Sequence, residues 1–275
     1  MSRAATLPAR RRPLLLAVIA LFVAGVAGAV IVWQLFFSGE PPAQASIDDA
    51  AGVLASQRPV AATATPEATE PAAAVPGTTQ PTTEPTTAAT GAVDGTWTVD
   101  TSVGSFADYT SAWAGFRVNE VLGQGIGSTT AIGRTPSVTG ELTLDGQTLS
   151  GASIEVDLTS ITSDRPRRDD SIQEALETGQ FPTATFVLTQ PVDLGGVPAD
   201  GETVSATAIG DLTIHGVTRS IEFPLEAQLV GDTIVVVGST AVTFSDFGVE
   251  MPRGPIVISV EDAGILELQL YFSRA

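Results

Sequence analysis

The stretch "GDLTIHGVTR", Gly210–Arg219, holds the only histidine of the chain and decides how the sequence is read. Leu212 and Ile214 alternate with Asp211 and Thr213, and apolar residues resume at Ile221 and Phe223. Period-2 alternation on both sides of a glycine is the pattern of a β-hairpin. With Gly216-Val217 at the centre, a type II′ turn places glycine first, where φ must be positive. His215 then pairs with Thr218 beside the turn, and Arg219 sits across from Ile214 on the apolar face. This makes His215 a turn-flanking polar residue rather than a catalytic base or a ligand.

The same alternation recurs outward from this hairpin. In "TGELTLDG", Leu142 and Leu144 oppose Glu141 and Thr143. In "ASIEVDLTSI", Ile154, Val156 and Leu158 share one face. "TATFVLT" contributes Phe186 and Leu188, and "RSIEFPLEAQLV" contributes Ile221 and Phe223. "DTIVVVGSTAVTF" contributes Ile234 and Val236, and "WAGFRVNEV" contributes Phe116 and Val118. With "TVSATAIGDLTIH" and "ILELQLYF" the runs number about eight, which reads as antiparallel strands with one apolar face. About eight strands in one module form either a sandwich or a closed barrel, and composition does not choose. "RRDDSIQEALETGQF" is the exception: Asp169 or Asp170 can cap a short helix with Ile172, Ala175 and Leu176 on one face.

Composition removes several chemistries. The 275 residues include no cysteine and no lysine, and the net charge is −18. Thiolate, Schiff-base and P-loop lysine chemistry are excluded, and a zinc site is disfavoured. The acidic balance argues against nucleic acid as a partner. "GQGIGSTT" (residues 123–130) is followed by no helical pattern, so it is not a phosphate loop. "SDFG" (residues 245–248) matches a kinase triplet without any companion motif, and Phe244 and Phe247 read as barrel aromatics. No nucleophile–base arrangement is visible, so neither catalysis nor a cofactor is expected. The cluster Arg165, Arg167, Arg168, Asp169 and Asp170 reads as a mutually paired, solvated loop.

Four segments precede or form this module. Residues 1–13 carry four arginines, which place the N-terminus in the cytoplasm. Residues 14–37 are apolar but for Gln34, long enough for a transmembrane signal-anchor helix at about 20 residues per bilayer. Ala27-Gly28-Ala29 resembles a cleavage site, yet cutting there would leave the apolar stub "VIVWQLFF"; an uncleaved anchor is the expectation. Residues 38–93, rich in Pro, Thr and Ala, read as a disordered linker reaching on the order of 150 Å if fully polyproline-like and about 40 Å as flexible coil. Residues 94–275 are the folded module, with 25 acidic residues against 8 arginines.

The module resembles the YceI-like domain, a lipid- and polyisoprenoid-binding family. The pieces run in order: "WTVD" at 97–100, "FRV" at 116–118, "TGELTLDG", "RRDDSI", "FPTATFVLT" at 181–189, "GDLTIHGVTR" and "FSDFGV" at 244–249. The resemblance implies an eight-stranded antiparallel lipocalin-like barrel whose apolar interior takes a long prenyl chain. Two positions depart from the family pattern: Asn119 stands where a histidine is common, and Ser171-Ile172 where His-Leu is common.

The resulting expectation is a membrane-tethered, extracytoplasmic lipid-binding module without catalysis. It is anchored in the cytoplasmic membrane through residues 14–37, with a prenyl-type lipid as partner. The residues named on the apolar face, with Arg219 at the rim, are its candidate lining. The rival reading is an envelope interaction domain whose apolar face is an ordinary filled core.

Overall fold

The computed structural model describes residues 41–57, 93–254 and 256–275. The expected anchor, residues 14–37, lies outside the described residues. Among the described residues no helix is long and apolar enough to cross a membrane.

Helix α1 (Ile47–Gln57) is followed by strands β1 (Gly95–Val99), β2 (Trp113–Leu122), β3 (Gly127–Thr135), β4 (Val138–Asp145), β5 (Thr148–Asp157) and β6 (Thr162–Ser163). Helix α2 (Pro166–Ala175) precedes β7 (Thr183–Leu188), β8 (Val192–Asp193), β9 (Thr203–Ile214), β10 (Val217–Val230), β11 (Thr233–Thr243) and β12 (Val257–Arg274). The chain divides into two units at Pro42/Ala43, and all of these elements belong to the second.

The strands close a ring in the order β1-β4-β5-β7-β9-β10-β11-β12, with β12 returning to β1 through Trp97↔Arg274 and Val99↔Phe272. Closure decides the question that alternation left open, and it satisfies the edges a sandwich would expose. The ring has eight members, but not the eight alternating runs. Its first strand is β1, five residues long and too short to show a pattern. The "WAGFRVNEV" run is β2, which pairs with the same edge of β12 further along, from Trp113↔Gln269 to Leu122↔Val257. At 18 residues, β12 is long enough to give one end to β1 and the rest to β2. β3 and β6 continue outward from β2. "GQGIGSTT" forms the β2–β3 hairpin turn and the start of β3.

The β9–β10 hairpin is present with its turn one residue earlier than expected. Ile214 pairs with Val217 and Thr213 with Thr218, so His215-Gly216 is the two-residue loop. Both have positive φ, 53° and 72°, which is a type I′ turn, not type II′. The I′ twist matches that of the flanking strands, and this preference overrides the cost of placing histidine in the left-handed region. Arg219 consequently pairs with Leu212 rather than Ile214. Its face is unchanged, because the two alternatives differ by two residues on β9.

Helix α1 corrects the linker reading. It falls within the stretch 38–93, yet Ile47, Ala50 and Leu54 are buried in a core cluster with Val235, Val237 and Tyr271. The "IVVV" run of β11 is therefore apolar on both faces: Ile234 and Val236 point into the barrel, Val235 and Val237 outward under a cover. Helix α2 also begins earlier than expected, with Pro166 in its first turn. Asp169 accepts hydrogen bonds from Ser163 N (2.7 Å) and Ser163 Oγ (2.6 Å), reaching back instead of capping a later start. Ile172 and Leu176 face the core as the sequence implied. Arg168 pairs with Glu120 and Asp164.

Candidate ligand cavity

The inner faces of the ring enclose a cavity of about 230 Å³. Its wall is built strand by strand from alternate residues. From the sequence-derived candidates it includes Phe116 of β2, Leu142 and Leu144 of β4, Ile154 and Val156 of β5, and Leu158 beyond it. Phe186 of β7, Leu212 and Ile214 of β9, Phe223 of β10, and Ile234 and Val236 of β11 complete that set.

Four candidates are elsewhere. Val118 is buried beyond the cavity, in the cluster with Ala131, Ile172 and Phe244, and Ile221 packs against the same cluster. Leu188, half-buried, pairs with Gly210 near the edge of β7. Arg219 is exposed, and its Nε donates to the Asp246 carbonyl at 3.1 Å. That bond ties β10 to the turn containing Phe244 and Phe247.

The wall also holds residues that alternation did not single out. Leu266, Leu268, Leu270 and Phe272 of β12 all face inward, as do Ala152, Ala206, Ala208 and Ala227. The alanines carry almost no hydrophobic signal in sequence, yet their small side chains leave the space open. Glycine does the same for the rings: a Cβ on Gly133 would lie 2.6 Å from Phe116 Cε1, so the ring of Phe116 rests directly on its cross-strand partner. Along β9 the wall runs from Val204 to Ile214. Ten strand residues tilted as in small barrels span roughly 25 Å of axis. A volume of about 230 Å³ over that length is a narrow tunnel.

The polar groups bordering this tunnel are turned to partners. Glu267, between Leu266 and Leu268, accepts from Arg117 Nε at 2.9 Å and from Arg134 Nη2 at 2.8 Å. Arg134 lies over the Trp113 ring at 3.8 Å and the Tyr109 ring at 4.5 Å, and donates to the Ala43 carbonyl at 2.7 Å. Burial lowers the pKa of the Arg134 guanidinium from its ordinary value, and the Glu267 carboxylate opposes that. Thr135 Oγ1 shares a hydrogen bond of 2.7 Å with Ser160 Oγ. Gln228 Nε2 donates to the Gly201 carbonyl at 2.5 Å. What these parts of the wall present to an occupant is carbon.

His215 lies outside the wall. Its ring meets Phe181 edge-on at 4.5 Å, and Nε2 is 3.6 Å from Glu177 Oε2, beyond hydrogen-bond reach. Asn119 donates to Glu261 at 3.0 Å across the outer edge of β2 and β12. Among the described residues no three His, Cys, Asp or Glu side chains converge as a metal site.

A closed antiparallel barrel around a long apolar tunnel places the chain in the class of small β-barrels with an enclosed interior. Within that class the chain belongs to the YceI-like domain family, whose model matches residues 97–272. It is 30% identical over 148 residues to a UPF0312 protein of Shewanella denitrificans, covering 50% of this chain and 73% of that one. A UPF0312 protein of Pseudomonas fluorescens is 31% identical over 134 residues, covering 44% and 66%. Among solved structures, a polyisoprenoid binding domain from Saccharophagus degradans implicated in plant cell wall breakdown superposes with a TM-score of 0.50 at 18% identity, covering 65% of this chain and 98% of that one. That likeness is one of fold.

Proposed function

We propose that the barrel binds one long apolar chain of the prenyl type, without chemistry, in a module tethered outside the cytoplasmic membrane by residues 14–37. The observation that carries this reading is the tunnel: about 230 Å³, narrow, and walled by aliphatic and aromatic side chains. A dry apolar cavity of about 150 Å³ is enough to take up benzene. Each buried methylene contributes about 0.8 kcal/mol, so a chain filling the length gains affinity without any head-group contact. The Saccharophagus domain, described as polyisoprenoid-binding, supports the prenyl class by its fold. The family's histidines have no counterpart at Asn119 and Ser171, and those positions lie off the wall. A filled-core interaction domain would lack such a tunnel, which favours the binding reading over it.

The test is extraction. The full chain, purified from membranes, is extracted into organic solvent and the extract examined by mass spectrometry. A stoichiometric long-chain lipid is expected. Protein that carries none, and takes up none when offered prenyl alcohols in detergent, overturns the reading.

A further inference from the structure

We infer that the tunnel opens at the end bounded by segment 189–202, and that this acidic mouth selects a chain with an uncharged head group, such as a prenyl alcohol, over one ending in phosphate or carboxylate. The inference rests on the binding reading above and adds the head-group class of the ligand.

The two ends of the tunnel differ. At one end Leu158, Ile161, Leu176 and Phe244 line it and are themselves buried, in a cluster that includes α2 and the turn with Phe247. At the other end the lining residues Leu149, Leu194, Pro198 and Val204 are half-buried. Strand length explains the difference. β7 stops at Leu188, opposite Gly210, whereas its neighbours β9 and β5 begin well beyond that pair, at Thr203 and Thr148. Between those two strand ends the wall is made by segment 189–202, which contributes Leu194 and Pro198. Its strand pairing to β5 is two residues long, Thr148↔Asp193 and Leu149↔Val192. An occupant passes in here tail first, and its head group stays here.

The charges around this mouth are nearly all of one sign. Asp94 before β1, Asp145 in the β4–β5 turn, Asp193, Asp200 and Glu202 in the segment, and Asp232 in the β10–β11 turn surround it. Four of these carboxylates are held in place by main-chain donors: Gly146 N to Asp94 at 2.7 Å, Gly195 N to Asp193 at 2.9 Å, Gly231 N to Asp200 at 2.7 Å and Ala199 N to Glu202 at 3.0 Å. Among the described residues of this end Arg274 is the one basic side chain. It is engaged by the Asp94 carbonyl, at 2.8 Å from Nη1, and by the Trp97 ring at 4.7 Å. Arg219 lies at the opposite end of β10, beside the His215-Gly216 turn. The polar side chain that lines the tunnel near the mouth is Gln228, a neutral amide. A phosphate monoester carries about −1.5 to −2 charges at neutral pH. Seating it among fixed carboxylates is unfavourable, and more so beside an apolar wall of low dielectric.

Competition between two probes of one chain length tests this. The full chain in detergent, stripped of lipid, is given equimolar geranylgeraniol and geranylgeranyl phosphate. The bound ratio is read by mass spectrometry after the protein is re-isolated, against the ratio in protein-free micelles. Enrichment of the alcohol by about tenfold is expected at low salt, shrinking in 1 M salt, where the screening length falls to about 3 Å. Asp145→Arg/Asp232→Arg, at two exposed turn positions of the mouth, should bring the ratio towards that of the micelles. Glu174→Arg/Glu250→Arg, the same charge change at exposed positions of the closed end, should leave it as it was. Equal uptake of the two probes, or preference for the phosphate, overturns the inference while the binding reading stands. A ratio that both double variants shift alike does the same. Uptake of neither probe takes down the binding reading, and this inference with it.

Discussion

Arg134 presents Nε and Nη2 to a single oxygen of Glu267, at 3.1 and 2.8 Å, with both side chains almost wholly buried. The other Glu267 oxygen takes Arg117. One carboxylate thus balances two guanidinium groups between the tunnel wall and the β2–β3 hairpin.

Glu267→Gln should therefore be among the most damaging single changes. It keeps the shape and removes the carboxylate charge that pairs with both buried cations. Breaking a buried pair from one side costs about 3–5 kcal/mol. Urea denaturation should show the midpoint falling at an unchanged slope. A loss below about 1 kcal/mol would mean the cations find water or other acceptors.

The Gly133–Phe116 contact predicts a change in binding. A Cβ on Gly133 would meet Phe116 at 2.6 Å and Ile161 at 3.4 Å, side chains only. Gly133→Ala should push the Phe116 ring into the tunnel, cost about 1–3 kcal/mol of stability, and weaken uptake of a long apolar chain. Adding Phe116→Leu should restore both. A double variant no better than the single would place the strain in the backbone.

Filling the tunnel should block it. Ala206 lines the wall, and Ala206→Phe adds a ring where the occupant would lie. Displacing two methylenes costs about 1.6 kcal/mol, more than tenfold in affinity. Lipid recovered per barrel should fall accordingly in the extraction assay, with the far-ultraviolet spectrum unchanged. Undiminished lipid would move the binding site out of the barrel.

Tyr271 gives a pH dependence. Burial raises its pKa from 10.0 to about 12. The phenol is neutral in both states below the unfolded value, so its stabilisation is complete below about pH 10. Between pH 10 and 12 the unfolded state loses the proton first, and stability falls by roughly 2–3 kcal/mol. Thermal melts from pH 9 to 12 should show that slope, and Tyr271→Phe should flatten it.

The I′ turn predicts a ranking at two positions. Gly216 has φ +72°, and its Cβ would come within 2.7 Å of Phe181. Gly216→Val should cost more than about 1 kcal/mol. His215 has φ 53°, so His215→Asn should be mild while His215→Val is damaging. Equal tolerance of Asn and Val at 215, read from melting temperatures, would refute a turn-driven role.

Alternation by itself determined the inner face. Leu142, Leu144, Ile154, Val156 and Leu212 line the tunnel because a strand's side chains alternate with period 2, a local property. The motif pieces from "WTVD" to "FSDFGV" carried the family for the same reason: each is a turn or a face legible within ten residues. Whether that face was a filled core or a tunnel was not local. It depends on the summed volumes of opposing side chains, and the deciding residues, Ala206, Ala208 and Gly133, are those with least hydrophobic signal.

Register and partners belonged to the tertiary structure as well. A one-residue choice of turn, His215-Gly216 over Gly216-Val217, was settled by strand twist. The short β1 gained its place only by pairing with the end of an 18-residue β12. The acid–arginine triad joins positions 117, 134 and 267, whose proximity no spacing encodes. Helix α1, in a stretch whose composition reads as linker, is ordered by the outer faces of β10 and β11 and by Tyr271 of β12. A helix that short draws its stability from the surface it covers, and that surface exists only once the barrel has closed.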